Sequence, residues 1–183
     1  MKAIFIVLLM SASLGLTACQ NQAESPEEAA PAADSAAATA AFNAMKSLVG
    51  TWEGTLTVSD GTEMPTSSHF RLVSGGNTIV ETLMEGDVEM ATTYTLEGGR
   101  MVTKHYCVLG TEPVFDGALD GEGGLDFTLS TGSPYVDGAD DFVTSMSVSL
   151  PTDADGTMTW NAAVTIGGEE VTRTAVLRKT SDE

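Results

Sequence analysis

Basic side chains are scarce in this 183-residue chain: eight Lys and Arg stand against 26 Asp and Glu, for a formal charge of −18. So acidic a surface repels nucleic-acid phosphates and anionic lipid headgroups, which excludes partners held by basic patches. Cysteine is scarcer still, with only Cys19 and Cys107, so no framework of several disulfides can staple the fold. No apolar run reaches the roughly 20 residues that span a bilayer. The longest, Ala3 to Leu16, falls short. No internal repeat of solenoid length is present either.

What the N-terminus does contain is an export signal. Lys2 supplies one positive charge, Ala3 to Met10 an apolar core, and Ser11 to Ala18 small residues suited to cleavage. The run closes on Leu16-Thr17-Ala18-Cys19, which resembles the lipobox of bacterial lipoproteins. The resemblance implies cleavage after residue 18 and lipidation of Cys19, and several acyl chains on one residue anchor stably where one would not. With Cys19 consumed, Cys107 has no disulfide partner in the same chain. Gln20 stands where an Asp would signal retention in the inner membrane, so the resemblance places the protein in the cell envelope, at the periplasmic face of the outer membrane.

Three segments follow: a signal peptide over 1–18, a lipidated disordered tether over 19–40, and one folded domain over 41–183. The tether is Ala, Glu, Ser and Pro with no large apolar residue, a composition that cannot build a core. Phe42, Met45, Leu48 and Val49 then recur at helical spacing, and Gly50 ends that short helix. From Thr51 the apolar period becomes two. Strands are expected over 51–59, 66–74, 78–85, 88–97, 100–109, 114–119, 125–130, 142–150, 157–166 and 169–179, separated by Gly-, Asp- and Pro-rich breaks. Short strands at this spacing predict an all-β fold, an antiparallel up-and-down β-barrel of about 8–10 strands.

Turn length sets register, and register sets which side chains point inward. A two-residue turn at Gly98-Gly99 places Leu96 opposite Met101, Tyr94 opposite Thr103, Thr92 opposite His105, Met90 opposite Cys107 and Val88 opposite Leu109. The reverse face carries Glu89, Glu97, Arg100 and Lys104, so the first face is the lumen. Gly86-Asp87 as a second such turn adds Ile79, Glu81 and Leu83 to it. Gly167-Gly168 as a third adds Val171, Arg173, Ala175 and Leu177. Glu81, Thr92 and His105 then form one cross-strand row, the outer two about 10 Å apart and able to meet through the Thr92 hydroxyl.

The stretch Leu48-Val49-Gly50-Thr51-Trp52-Glu53-Gly54 resembles the opening of the calycin barrels: lipocalins, fatty-acid-binding proteins and nitrobindin-like haem barrels. In lipocalins an Arg of the last strand packs over that Trp, which implies Arg173 or Arg178 over Trp52. The span from Ile79 to Pro113, with His105-Tyr106-Cys107, Gly110 and Pro113, resembles a family of bacterial secreted or lipid-anchored domains marked HYC-x-x-G-x-x-P. Thr111-Glu112 depart from the Asn-Gln expected there. Haem does not follow, because this chain has no His near its C-terminal strands.

Trp52, Glu81, Thr92, Tyr94, His105, Cys107 and Arg173 are therefore the candidate ligand-binding residues. No catalytic residue is assigned: His105 and Cys107 on one strand point in parallel rather than at each other, and no oxyanion loop is evident. No metal or cofactor is assigned, since zinc needs three or four ligands and only Glu81, His105 and Cys107 converge. Asp153-Ala154-Asp155-Gly156 and Asp137 to Asp141 suit tight turns and lack the remaining spacing of a calcium loop. His69 alternates with Phe70 and Leu72 and faces out. Three functions stay open: a lumen holding a small hydrophobic or amphipathic ligand, with Arg173 countering its acidic group; a packed envelope protein acting through its acidic surface; and a weak hydrolase or isomerase using His105 and Glu81.

Overall fold

A computed structural model describes residues 35–151 and 156–182. The signal peptide, Cys19 and most of the expected tether lie outside the described residues. The first element is helix α1 (Ala36–Lys46), capped by Ser35, whose Oγ accepts the Ala38 N–H at 3.0 Å. It begins inside the segment read as tether, and earlier than Phe42. The reason is local: Ala36 to Ala41 carry little apolar bulk but the highest helix propensity, and Ser35 satisfies a terminal N–H. The helix also stops earlier than Gly50, at the Ser47 cap. Gly50 instead opens the first strand at φ 123°.

Ten strands follow: β1 (Gly50–Val58), β2 (Glu63–Val73), β3 (Thr78–Glu85), β4 (Val88–Glu97), β5 (Arg100–Tyr106), β6 (Val114–Leu119), β7 (Gly124–Leu129), β8 (Phe142–Ser149), β9 (Thr157–Ile166) and β10 (Glu169–Ser181). Each pairs antiparallel with its chain neighbour, and β1 pairs with β10 to close an up-and-down barrel. At that seam Gly54 has no room for a side chain, because an added Cβ would sit 1.9 Å from the Val176 carbonyl oxygen.

The three glycine turns set the expected registers. Ile79 faces Tyr94, Thr92 faces His105 and Val171 faces Val164. Positive φ at Gly98 and Gly99, 58° and 79°, meets the demand of a two-residue turn that matches strand twist. One expected extension fails. The β4–β5 ladder ends at Ala91 and Tyr106, so Met90 and Val88 do not pair with Cys107 and Leu109, and Val88 is exposed. The chain turns away there because Gly110 donates its N–H to the Cys107 carbonyl at 3.0 Å, while the His105 N–H bonds the Pro113 carbonyl. The His-Tyr-Cys, Gly and Pro positions thus build the corner that ends β5.

Helix α1 packs against β4, β5 and β6. Its Phe42 and Met45 join Leu48, Trp52, Tyr94, Met101, Phe115 and Phe127 in one core. Aromatic contacts run through it: Tyr94 meets Phe127 edge-on at 5.9 Å, and Phe127 stacks on Trp160 at 5.5 Å.

Candidate functional site

Inward-facing side chains leave a cavity of about 90 Å³ in the barrel lumen, reaching the Cys107–Leu109 corner. Leu83, Met90, Met146, Val164 and Leu177 supply much of its apolar wall. Six of the seven candidate residues line it: Glu81, Thr92, Tyr94, His105, Cys107 and Arg173. Trp52 does not. It is buried beside the helix, its Nε1–H bonding the Leu48 carbonyl at 2.7 Å. The cation over its ring is Lys179, at 5.7 Å, rather than Arg173. Lys179 pairs Trp52 in the same register that sets Arg178 opposite Glu53 and Arg173 opposite Val58, at the far end of β1.

Glu81 is buried, and its oxygens are engaged by the protein. Ser68 Oγ donates to Oε1 and Tyr94 OH to Oε2, both at 2.7 Å. Burial pushes its pKa up, and these donors offset part of that rise. Burial and the Glu81 charge push the Tyr94 hydroxyl well up, so it stays a neutral donor. Thr92 Oγ1 lies 3.0 Å from His105 Nδ1, and Thr92 pairs Glu81 on one side and His105 on the other, the expected cross-strand row. Burial, with the Arg173 charge adding to it, lowers the His105 pKa to about 4, so the ring is neutral at pH 7. The Cys107 thiol is pushed up by burial, which removes the thiolate that nucleophilic chemistry needs.

Arg173 faces inward, as strand parity requires, but its partner is neither Trp52 nor Glu81. Its Nη1 pairs with Glu85 Oε2 at the end of β3. Only 25% and 14% of the two side chains are exposed. The lumen therefore holds two carboxylates, where one was expected, against one guanidinium. Glu85 follows Glu81 and Leu83 in the same alternation, so parity carried one step further would have found it. Ser68 was equally readable from the alternation that buries Thr66, Ser68 and Phe70. Among the described residues, Arg173 Nε and Trp160 Nε1 are buried without a hydrogen-bond partner.

The His105 environment sets a pH dependence. Its folded pKa lies below the ordinary value of about 6.5, so between that value and about 4 the unfolded chain binds the additional proton. Stability contributed by neutral His105 is thus present above pH 6.5 and lost as pH falls toward 4. Glu81, whose folded pKa is raised, works in the opposite sense and loses stability as pH rises through that folded value. Urea midpoints measured from pH 7 to pH 4 should fall less steeply in His105→Gln than in the unaltered protein, and more steeply in Glu81→Gln. Parallel curves for all three would remove both groups from the linkage.

No family model and no curated protein matches the chain. Solved structures do match. One is a protein of unknown function from the DUF3598 family of Nostoc punctiforme, 14% identical, with 75% of this chain and 48% of that one aligned and a TM-score of 0.49. Others are EF1p2_mFAP2b bound to DFHBI, 15% identical over 76% of this chain and 99% of that one, TM-score 0.38, and the redesigned β-barrel mFAP1 bound to DFHBI, 19% identical over 76% and 98%, TM-score 0.35.

Proposed function

We propose that this protein is a lipid-anchored barrel of the bacterial envelope, of the HYC-x-x-G-x-x-P type, that holds one compact and largely apolar ligand in its lumen. The cavity carries the reading: apolar walls and a short line of polar groups meet in one recess, the usual composition of a small-molecule site. Its size narrows the ligand. About 90 Å³ holds roughly three waters at about 30 Å³ each, or one compact small molecule. A fatty acyl chain does not fit in that volume. The acidic-amphiphile version weakens for a second reason, because Glu85 already matches the charge of Arg173. Catalysis by His105 and Glu81 has less support, since Ser68 and Tyr94 occupy the carboxyl that would act as base.

Native mass spectrometry of the protein extracted from its own membranes tests the binding claim. A small-molecule adduct released on unfolding is expected. The acylated chain alone, with no binding of any ring-sized probe afterwards, would overturn the reading in favour of a packed barrel acting through its surface. The anchor has its own test. Cys19→Ser should leave the precursor unprocessed or release the protein from membranes, whereas a processed, membrane-bound Cys19→Ser protein would rule out lipidation at Cys19.

A further inference from the structure

We propose that the luminal ligand is an uncharged molecule with a carbonyl-type oxygen, which accepts the N–H groups of Trp160 Nε1 and Arg173 Nε. This rests on the luminal-binding reading above and names the chemistry of that same site.

Four side-chain atoms among the described residues are buried without a hydrogen-bond partner: Thr103 Oγ1, Ser133 Oγ, Trp160 Nε1 and Arg173 Nε. The last two belong to side chains that line the cavity, and the first two do not. Buried donors nearly always find an acceptor, because an orphaned one keeps the whole cost of leaving water. Trp160 stands opposite Ala175, and Arg173 opposite Ala162, across β9 and β10. The two long side chains are thus diagonal neighbours on the luminal face, within reach of a common partner. The other two corners of that patch are the alanines, which also line the cavity and whose methyl groups leave room between the donors. Both donors are held in place by the protein itself: Trp160 stacks on Phe127 at 5.5 Å, and Arg173 is tied through Nη1 to Glu85.

The chemistry of the two groups selects that of the ligand. An indole nitrogen and a guanidinium Nε are donors only, so neither can receive a proton from a ligand's ammonium or hydroxyl group. A carbonyl oxygen has two lone pairs and can serve both donors at once. A carboxylate would also accept, but it would be the third in the lumen, beside Glu81 and Glu85, with Arg173 the one cation lining the cavity. An uncharged oxygen leaves that balance as it is, and the wall of Leu83, Met90 and Val164 takes the apolar remainder.

Cyclopentanone, methylenecyclopentane and cyclobutanecarboxylate, titrated into the full-length protein, separate the cases. The ketone and the alkene share nearly one shape, so the ratio of their affinities isolates the oxygen. Cyclopentanone should bind about ten-fold more tightly than the alkene, or better, the size expected of one or two net hydrogen bonds. The carboxylate should bind weakest. Trp160→Phe keeps a ring to stack on Phe127, and Arg173→Lys keeps a cation for Glu85. Each removes one donor and should lower the ratio about three-fold or more. The indole N–H resonances provide a reading independent of any variant. On adding cyclopentanone the Trp160 signal should move downfield, while that of Trp52, already bonded to the Leu48 carbonyl, stays in place. A Trp160 signal that stays put at saturation, a ratio near one, or a ratio unchanged in either variant overturns the inference and leaves luminal binding standing. Tightest binding by the carboxylate overturns it in favour of the Arg173 charge as the anchor. No binding by any of the three overturns the luminal reading itself.

Discussion

Glu81→Ala should lower stability by about 3 kcal/mol or more, with a matching drop in the denaturant midpoint. The substitution removes the acceptor of two buried donors, Ser68 Oγ–H and Tyr94 O–H, and each orphaned group costs roughly 1–3 kcal/mol. It also opens a void beside Phe70, for which the cost rises with the volume that neighbours cannot fill. One term opposes this. The raised Glu81 pKa means that burial disfavours its ionised form, so removing the group relieves some desolvation. Glu81→Gln keeps an acceptor for one of the two donors and should fall between. The triple change Glu81→Leu, Ser68→Ala, Tyr94→Phe removes donors and acceptor together and should recover most of the loss. A Glu81→Ala protein as stable as the unaltered one would show that the network contributes nothing to the fold.

Glu85→Ala should cost about 2–3 kcal/mol. The Arg173 guanidinium would be left largely buried, its Nε already lacking a partner, and a half-broken buried pair is worse than none. Arg173→Met in the same chain should therefore restore stability, which neither change explains alone. Coupling between the two sites, read from a double-mutant cycle, should exceed about 1 kcal/mol. Additive effects would mean that the pair is solvent-screened and that Arg173 is free to meet a ligand's charge.

Much of this arrangement was readable because short-range chemistry determines it. Gly98-Gly99 can make its turn in few ways, and from that turn the juxtaposition of Thr92 with His105 follows by counting. The same holds for Gly86-Asp87, which brings Glu81 to Thr92. Lys179 over Trp52 was not readable, since no turn joins β1 to β10 and counting along the chain cannot fix the register of that seam. Helix α1 was half-read because Ala36 to Ala41 have the same composition whether they extend a linker or cap a barrel. Strand parity placed Arg173 inside but could not name Glu85 as its partner, because the two meet across the lumen from strands that are not neighbours. Cavity volume is the least local of these properties. It depends on how Phe127, Trp160 and the rest fill the lumen together, which no periodicity encodes.

The pairing of Glu53 with Arg178 and Leu56 with Ala175 has a kinetic consequence. Nine of the ten strand pairings join neighbours in the chain, and the tenth joins its two ends. That tenth contact must gather almost the whole barrel before any of its hydrogen bonds form, and topologies rich in such long-range pairings assemble in milliseconds to seconds rather than microseconds. Until it forms, the meander is an open sheet with β1 and β10 as bare edges, each able to template another chain. The β10 of one molecule can then zip onto the β1 of a second, giving exchanged dimers or open-ended chains. A substitution at the crowded Gly54 position would therefore show itself first as aggregation during assembly, before equilibrium measurements on the finished barrel register it.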